Sequence, residues 1–513
     1  MEFDREAWAA AARQGMAVAF AAARTPERAA VVAPTGDRTY AELNANANRL
    51  VRALRSRGLA EGDSVAILCS NRAEFAEVYA ACTRSGLRLT TVNWHLTPDE
   101  AAYIVSDCRA QAFVADASHA GAVPPAEGVP VRLAVGGDLP GFDPYDAALA
   151  AHDGDDIDDP SLGTAMLYTS GTTGYPKGVR RPADPDGLLV AVTAFGYRDG
   201  DVHLVTGPLY HTAPYLFGLQ GPLTCGVTTV LMAEWDPEET LALIERHRVT
   251  HSHLVPTMFH RLLALPEAVK ARYDTSSMKS ALHGAAPCPV AVKQAMLDWW
   301  GPVIWEYYGA TEGAGTVVDP HTWLERPGTV GQADLSRLRV GDDRAEPLPP
   351  GEEGLVWIRG DGLARFEYFG DADKTDGAYR GDWFTLGDVG RLDDDGYLFL
   401  TDRSANLIIS GGVNIYPAEV DAVLLQHPGV ADAAVIGVPD AEWGERALAV
   451  VEPKPGVELD EPELLAFCRD RLAHFKCPRA VDFVDRLPRD DNGKIYKRRL
   501  RDEYRARAAD QGG

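Results

Sequence analysis

The alternation of helical segments with short apolar runs is the feature that most constrains the fold. The pattern Thr39-x-x-Glu42 is a helix-capping box, and it opens an amphipathic segment that Gly58 ends. An apolar run follows over residues 64–69, and then a second helical segment over residues 74–85. Because strands of a parallel sheet are joined by crossover helices, this order predicts an α/β protein with mostly parallel sheets flanked by helices.

The same texture continues to about residue 340. It predicts further buried strands near residues 131–135 and 226–232 and a helix over residues 237–247.

The domain organisation follows from length and from a change of texture. A chain of 513 residues exceeds what one hydrophobic core usually organises, so we expect more than one domain. After about residue 340, proline and glycine punctuate short segments, which predicts a small β-rich subdomain over about 340–402. We therefore expect a large N-terminal domain over residues 1–402 and a small α+β C-terminal domain over residues 403–513.

Charge and cysteine usage exclude several classes of protein. The chain has 50 basic and 75 acidic residues, a net charge of -25, which argues against nucleic acid as a partner. The seven cysteines have no CxxC spacing, so neither a zinc site nor a disulfide framework is predicted. An acidic start and the lack of a long apolar run predict a cytoplasmic protein without an export signal or membrane span.

The loop at residues 168–178 has the composition of a phosphate-binding loop. Glycines let backbone N–H groups approach an anion, hydroxyls donate to its oxygens, and Lys177 supplies positive charge. Its spacing is not that of the common P-loop, because Pro176 stands where that motif requires glycine. We expect a phosphate loop of another kind, with these residues as its ligands: Thr169, Ser170, Gly171, Thr172, Thr173, Gly174 and Lys177.

Eight motifs in a fixed order give the chain a family resemblance. They occupy residues 168–178, 208–211, 284–287, 308–313, 383–388, 402–403, 410–419 and 488–494. In this order the chain resembles the adenylate-forming superfamily of acyl-CoA synthetases, adenylation domains and firefly luciferase, over nearly its whole length. The resemblance implies an ATP-dependent, AMP-forming acid–CoA ligase that uses ATP, Mg²⁺ and coenzyme A.

The resemblance assigns most of the ATP site. It implies that Glu312 holds Mg²⁺, that Thr311 donates to the α-phosphate and that Tyr308 stacks on the base. Asp388 and Arg403 are expected to bind the ribose hydroxyls. The segment expected to lie along the adenine consists of Gly284, Ala285, Ala286 and Pro287. Gly309, which follows Tyr308, is also expected to bind the nucleotide.

The C-terminal domain is expected to be mobile and to serve both half-reactions. Lys494 matches the family's adenylation lysine, which bridges the carboxylate and the phosphate. After adenylation the domain is expected to rotate, so that Ser410, Gly411 and Gly412 line a tunnel for the pantetheine of CoA. The hinge position holds Ala405, where the family usually has aspartate or lysine.

The residues expected to bind the acid are small or apolar apart from two histidines. They are His211, Val255, His283, Gly309, Ala310 and Gly315. No carboxylate stands near the position of His211 to pair with an ammonium group, which argues against an amino acid as substrate. The small lining predicts a medium-chain, long-chain or bulky hydrophobic acid.

Several alternatives remain open at this stage. An acyl-adenylate ligase that loads the phosphopantetheine thiol of a carrier protein has nearly the same motifs, and a homodimer is compatible with the sequence. A non-catalytic nucleotide-binding homologue would have lost site groups, but Lys177, Glu312, Asp388, Arg403 and Lys494 are all present. His247, His251 and His253 are predicted to be structural, because a helix ends at the first and a strand carries the others.

Overall fold

A computed structural model describes most of the chain. The described residues are 4–169, 176–187, 189, 195–403, 406–410, 413–440, 443–489 and 495–511. The helices of the N-terminal part are α1 (Arg5–Arg13), α2 (Ala17–Arg24), α3 (Tyr40–Ser56), α4 (Ala73–Arg84), α5 (Pro98–Asp107), α6 (Tyr145–Ala150), α7 (Gly221–Thr224), α8 (Pro237–His247), α9 (Pro256–Leu263), α10 (Glu267–Lys270), α11 (Val290–Trp300), α12 (Pro320–Glu325) and α13 (Ala372–Ala378).

Two large sheets form the body of the N-terminal part. Their strands are β1 (Ala29–Val32), β2 (Arg38–Thr39), β3 (Ser64–Leu68), β4 (Arg88–Val92), β5 (Ala110–Asp116), β6 (Val131–Val135), β7 (Asp143–Pro144), β8 (Thr164–Thr169), β9 (Lys177–Arg180), β10 (Val202–Val205), β11 (Thr228–Leu231), β12 (His251–Leu254), β13 (Ser280–His283), β14 (Ile304–Ala310) and β15 (Gly313–Val318). The predicted strands near 131–135 and 226–232 and the helix at 237–247 are therefore confirmed.

Each of these sheets has eight strands and a parallel centre. The first has the order β15-β14-β13-β12-β10-β11-β1-β2, and its antiparallel pairs lie only at the two edges. The second has the order β9-β8-β4-β3-β5-β6-β7 and is completed at its edge by β19 (Glu367–Tyr368), which pairs with β9. Helix α3 begins with the predicted capping box, in which Thr39 and Glu42 exchange hydrogen bonds.

A six-stranded antiparallel sheet forms the β-rich subdomain. Its strands are β16 (Thr329–Gln332), β17 (Leu338–Gly341), β18 (Gly354–Arg359), β20 (Tyr379–Arg380), β21 (Trp383–Leu392) and β22 (Tyr397–Arg403). The sheet begins before residue 340, because β16 pairs with β22. It also excludes β19, which lies in the predicted subdomain range but joins the second large sheet.

The C-terminal part folds around a separate five-stranded sheet. Its strands are β23 (Ile408–Ser410), β24 (Val413–Ile415), β25 (Val430–Asp440), β26 (Gly444–Pro453) and β27 (Ala480–Phe483), and its helices are α14 (Pro417–Leu424), α15 (Glu461–Arg469) and α16 (Lys497–Gln511). Its core is distinct from those of the N-terminal sheets. The prediction of an α/β chain with large, mostly parallel sheets and a smaller α+β C-terminal unit is confirmed.

The sheets bring several strand ends to one region. Strand β13 ends at His283, immediately before the motif at 284–287, and strands β8 and β14 end at Thr169 and Ala310, within the motifs at 168–178 and 308–313. In open α/β sheets the crevice outside the carboxyl ends of the strands is the usual binding region. Within the part of the chain that the structure describes, no helix has the length and apolar character needed to span a membrane.

Candidate active site

The two ends of the phosphate loop are held together by an antiparallel pair of strands. Thr169, at the end of β8, pairs with Lys177, at the start of β9. The predicted ligands between them, Ser170, Gly171, Thr172, Thr173 and Gly174, lie outside the described residues.

A tyrosine that the motifs do not include connects two of the predicted site groups. The Lys177 ammonium lies 4.6 Å from the centre of the Tyr368 ring. The Tyr368 hydroxyl donates a 3.1 Å hydrogen bond to Oε1 of Glu312. Burial and the neighbouring Glu312 carboxylate raise the pKa of Tyr368, so the hydroxyl keeps its proton and remains a donor. Lys177 and Glu312 therefore contact the same aromatic side chain, Lys177 at the ring and Glu312 at the hydroxyl.

Thr311 is fixed from two directions. Its hydroxyl lies 2.7 Å from the hydroxyl of Thr212, and its carbonyl accepts a 2.6 Å hydrogen bond from the Arg181 guanidinium. Burial lowers the pKa of Arg181, while Glu312 opposes that shift, and an arginine remains charged in either case. Arg181 therefore places a cation beside Thr311.

The donor chemistry at Glu312 fits Mg²⁺. Magnesium is usually held by one or two carboxylates together with phosphate oxygens and water, and not by a protein cage. Glu312 is 8% exposed and offers a carboxylate next to the phosphate loop. Among the described residues there is no group of three or more histidine, cysteine or acidic side chains that could hold a metal ion. A metal here would therefore depend on Glu312 and on the nucleotide.

Tyr308 and Asp388 are joined by a buried hydrogen bond. The Tyr308 hydroxyl donates to Oδ2 of Asp388 at 2.8 Å, and both residues are buried. Asp388 on β21 lies opposite Arg403 on β22 in the strand register. The predicted base-stacking and ribose-binding residues are therefore neighbours, although they are far apart in sequence.

Gly284 permits a close approach that no other residue allows. A Cβ atom at this position would lie 2.4 Å from the Tyr307 ring. The next residue, Ala285, has a left-handed backbone with φ of 67°, which is uncommon outside glycine. Ala285, Ala286 and Pro287 line a large cleft together with Tyr308 and Gly309. The segment 284–287, which is expected to lie along adenine, thus lines the same cleft as Tyr308, which is expected to stack on adenine.

The loop that contains His211 reaches Thr311 through the adjacent residue, Thr212. Thr212 contacts Thr311, as described above, and a π-helical segment over Pro214–Gln220 begins just after it. Val255 is buried immediately before α9, and Ala310 ends β14.

His283 lies on the opposite side of the sheet from His253. In the parallel register His283 lies beside Glu306, whereas His253 lies beside Leu282. Adjacent residues of a strand project to opposite faces, so His283 and His253 point in opposite directions. The His283 ring is fully buried 5.1 Å from the Phe259 ring, and its Nε2 lies 3.5 Å from Glu306. His283 therefore does not share a face with His253, and its assignment to the acid pocket stays a prediction.

Gly315 has a packing role, and its predicted place in the acid pocket stays a prediction. A Cβ atom at Gly315 would lie 2.5 Å from the Tyr308 ring. The residue thus leaves room for the tyrosine expected to stack on adenine.

An aromatic wall, defined as Phe217, His253 and Tyr307, covers the opposite face of the same strands. The Phe217 ring lies 4.8 Å from that of Tyr307 and 5.6 Å from that of His253. Nε2 of His253 lies 3.3 Å from the Tyr307 hydroxyl. Burial lowers the pKa of His253 to about 3, so the imidazole is neutral at physiological pH. The aromatic wall is therefore a largely apolar cluster with one neutral hydrogen-bonded pair.

The three histidines rejected as a metal site are placed as predicted. Helix α8 ends at His247, and His251 and His253 lie on β12. His251 packs against Tyr197, with 4.4 Å between the ring centres.

The C-terminal unit faces the N-terminal sheets across the cleft, which has a volume of about 2620 Å³. Ala285, Tyr308 and Asp388 line one side, and Asp421 and Arg489 line the other. Ser410 is buried at the end of β23. The predicted residues Gly411, Gly412, Ala405 and Lys494 lie outside the described residues.

Comparison with known proteins shows the family. The family model described as "AMP-binding enzyme" matches residues 18–367, and the model "AMP-binding enzyme C-terminal domain" matches residues 419–494. A feruloyl-CoA synthase of Amycolatopsis sp is 36% identical over 476 residues, which cover 91% of this chain and 94% of the relative. A fatty acid–[acyl-carrier-protein] ligase of Streptomyces coeruleorubidus is 32% identical, with 94% and 95% covered.

A solved structure has the same architecture over nearly its whole length. The anthranilate CoA ligase AuaEII, in complex with anthranoyl-AMP, superposes with a TM-score of 0.87 at 25% identity, covering 97% of this chain and 98% of that one. The chain belongs to the AMP-binding enzyme family. The predicted class, an AMP-forming acyl-CoA synthetase that uses ATP, Mg²⁺ and coenzyme A, is confirmed.

Proposed function

We propose that this acyl-CoA synthetase activates a bulky hydrophobic carboxylic acid, with a ring system preferred over a short chain. The observation that carries the proposal is the aromatic wall of Phe217, His253 and Tyr307, in which Tyr307 lies on β14, the strand that ends immediately before Thr311. Aromatic faces offset-stack on or pack edge-on against another ring, and they give little to an acetyl group. The acids named for two relatives, ferulate and anthranilate, are themselves ring compounds. A medium- or long-chain acid is the alternative for the same surface.

The proposed reaction has two steps. In the first, a carboxylate oxygen of the acid attacks the α-phosphorus of ATP, and the bond to the β-phosphate breaks to release pyrophosphate. In the second, the sulfur of CoA attacks the acyl carbon after losing its proton, and the bond to AMP breaks to give acyl-CoA. Both steps bring anionic groups together, so the site must supply fixed positive charge.

The described residues suggest how that charge is supplied. Lys177 contacts the ring of Tyr368, whose hydroxyl binds Glu312, and Arg181 binds the Thr311 carbonyl. Both side chains provide local cations in a chain whose net charge is -25. We assign Thr311 to orient the α-phosphate and Glu312 to hold Mg²⁺, which when bound neutralises charge on the phosphates. Tyr368 fixes the Glu312 carboxylate, and Asp388 with Arg403 takes the ribose. Lys494 is assigned to bridge the acid and the phosphate, as the sequence predicts.

The acid pocket is assigned to the loop around His211 and to the ends of β12 and β14. In this proposal Val255, Gly309 and Ala310 border the carboxylate end of the acid. The aromatic wall then contacts the hydrophobic part. His283 is omitted because it lies on the other face of the sheet.

A carrier-protein thiol is the second candidate acceptor. The specific observation that supports it is the relative named as a fatty acid–[acyl-carrier-protein] ligase, which is 32% identical to this chain. CoA remains the favoured acceptor, because the feruloyl-CoA synthase is more similar at 36%.

The test is pyrophosphate release with a panel of acids, with and without CoA, followed by mass spectrometry of the products. The panel includes acetate, octanoate, palmitate, ferulate and anthranilate. The proposal expects the highest kcat/KM with a ring acid and the appearance of its CoA thioester. A preference for acetate would contradict the assigned acid. Accumulation of acyl-AMP with unconsumed CoA would contradict CoA as acceptor and favour the carrier protein.

A further inference from the structure

One helix of the N-terminal part docks directly onto the C-terminal sheet. On α9, Thr257 and His260 are three residues apart and lie on the same face of the helix. Nε2 of His260 lies 3.0 Å from the carbonyl oxygen of Ala431, and Nη1 of Arg489 donates to the hydroxyl of Thr257 at 3.2 Å. Both contacts join the two parts of the molecule at the entrance of β25.

The His260 contact is a hydrogen bond from a neutral ring. A carbonyl oxygen only accepts, so Nε2 must carry the hydrogen. Burial lowers the pKa of His260, and the contact with the Ala431 carbonyl partly opposes that shift. The contact therefore does not require a charged histidine.

Arg489 connects three parts of this junction at once. Its guanidinium binds the Asp432 carboxylate through two nitrogens, at 2.7 and 2.5 Å, while its third nitrogen reaches Thr257. The Arg489 and Asp432 side chains are only 20% and 14% exposed. A planar guanidinium can satisfy such a fork and a third acceptor together, whereas an ammonium cannot reproduce that geometry.

The backbone of Arg489 lies at one end of the segment 490–494, which contains the predicted adenylation lysine. Arg489 and Ile495 form an isolated antiparallel bridge, and the backbone N–H of Tyr496 donates to the carbonyl of Pro488 at 3.1 Å. The two ends of the intervening segment are thus fixed next to each other. Lys494 belongs to that segment and lies outside the described residues.

In this domain arrangement, the junction lies in the same cleft as residues that are expected to bind the nucleotide. Arg489 and Ile495 line the same cleft as Tyr308 and Asp388. Ser410, the described residue of the predicted pantetheine loop, is not among the residues that line the cleft. Within the part of the chain that the structure describes, the cleft thus brings together groups assigned to adenylation.

We propose that Arg489 is a positioning residue for the adenylation half-reaction, which it supports by holding Asp432 of the C-terminal part and Thr257 of the N-terminal part together. This inference rests on the proposed function, since it assigns the arrangement to one of the two half-reactions. The hydrogen bond to Thr257 joins two separate folding units, so it is lost when the C-terminal part rotates away. It therefore stabilises the arrangement for adenylation and contributes nothing to thioester formation.

The experiment measures the two half-reactions separately in the full-length protein. Adenylation is followed by exchange of labelled pyrophosphate into ATP, and thioester formation by reaction of synthetic acyl-AMP with CoA. The variants are Thr257→Val, Arg489→Ala, Arg489→Lys and the double variant Thr257→Val with Arg489→Ala. Arg55→Ala is the matched control, because Arg55 forms a 2.7 Å ion pair with Asp159 on the exposed surface outside the cleft.

The inference expects Thr257→Val and Arg489→Ala each to lower adenylation about tenfold, while thioester formation changes less than about twofold. The double variant should be no worse than Arg489→Ala, since both changes remove the same hydrogen bond. Arg489→Lys should restore little of the adenylation rate, and Arg55→Ala should leave both rates unchanged.

Three results would overturn the inference. They are an equal loss in both half-reactions, additive effects in the double variant, or unchanged adenylation in Thr257→Val. If Arg489→Ala fails to fold, Thr257→Val still decides the matter, because it leaves the pair between Arg489 and Asp432 intact. A wild-type protein that forms no acyl-AMP with any acid would overturn the proposed function and this inference together. An active wild type with unchanged variants would overturn the inference alone.

Discussion

At the scale of single residues, the contact between Tyr368 and Glu312 is the most informative. The tyrosine hydroxyl donates to the carboxylate that we assign to Mg²⁺, and the ring lies next to Lys177. One side chain therefore orients the proposed metal ligand and restrains a proposed phosphate ligand. Its two functions can be separated, because the hydroxyl serves Glu312 and the ring serves Lys177.

Replacement of Tyr368 by phenylalanine should remove only the first function. We expect adenylation to fall about tenfold, with a higher Mg²⁺ concentration needed for half-maximal rate, because the carboxylate loses the donor that orients it. The measurement is pyrophosphate exchange as a function of Mg²⁺ concentration. Tyr273→Phe is the control, since Tyr273 donates a 2.9 Å hydrogen bond to Glu238 away from the site. An unchanged Mg²⁺ dependence in Tyr368→Phe would contradict the assignment.

The residues in the ordered motifs could be proposed from the sequence, but their supporting partners could not. Tyr368 reaches Glu312 only because β19 pairs with β9, a pairing between segments far apart in the chain. Thr212 and Arg181 likewise meet Thr311 through tertiary contacts. Strand alternation predicts from the sequence that His283 and Leu282 project to opposite faces of the sheet. The register that pairs Leu282 with His253 is a tertiary feature, and it places His283 on the face opposite His253.

At the scale of elements, a buried ion pair joins α11 to β14. The Lys293 ammonium is fully buried and lies 2.7 Å from Oε2 of Glu306 and 4.7 Å from the centre of the Trp323 ring. Burial lowers the pKa of Lys293 and raises that of Glu306, and each partner opposes the other's shift. The pair therefore holds the helix on the strand that leads to Tyr308.

Removal of one partner should destabilise the protein more than removal of both. Lys293→Met leaves a buried carboxyl group without its cation, and we expect a loss of about 3 kcal/mol in the free energy of unfolding. The double variant Lys293→Met with Glu306→Gln should recover part of that loss, because no buried charge remains. Urea unfolding of the three proteins gives the comparison. A double variant less stable than Lys293→Met would contradict this account.

A half-buried carboxylate connects three elements of the C-terminal part. Asp421 on α14 accepts a hydrogen bond from the backbone N–H of Val435 on β25, at 2.6 Å, and pairs with Lys497 on α16. Burial raises the pKa of Asp421 from 3.8 to about 6, although Lys497 opposes the shift. The folded state therefore binds this proton more tightly than the unfolded state does.

The sign of the resulting pH dependence follows from that shift. The raised pKa contributes stability that is fully present below about pH 4 and is lost as the pH rises through about 6. The wild type should lose up to about 3 kcal/mol from this residue between those limits. Asp421→Asn should lack that component, so its unfolding free energy should fall less over the same range. Parallel pH profiles from urea unfolding of the two proteins would contradict the prediction.

Element boundaries were predictable where a local signal marks them. The capping box of α3 and the helix at Pro237–His247 are as predicted, because side-chain caps and helix-favouring residues act over a few positions. The first strand of the β-rich sheet has no such local signal, since Thr329–Gln332 joins the sheet by pairing with β22. Strand pairing is a long-range property, and no nearby residue indicates it.

At the scale of the whole molecule, two parts with separate cores face one cleft. The N-terminal part supplies most of the residues assigned to ATP and the acid, and the C-terminal part reaches α9 through Arg489 and Ala431. The order of motifs was sufficient to predict this class of enzyme. The contacts between the parts were not predictable, because Thr257 and Arg489 belong to no common local pattern.

The central claim is that the acid is activated by bonding to the α-phosphate of ATP. The most direct test is turnover of a ring acid labelled with heavy oxygen in its carboxylate, followed by mass spectrometry of the nucleotide and phosphate products. The account predicts that AMP carries one heavy oxygen and that pyrophosphate carries none, because the attacking oxygen remains on AMP when CoA takes the acyl group. Heavy oxygen in phosphate or pyrophosphate, with unlabelled nucleotide, would contradict it.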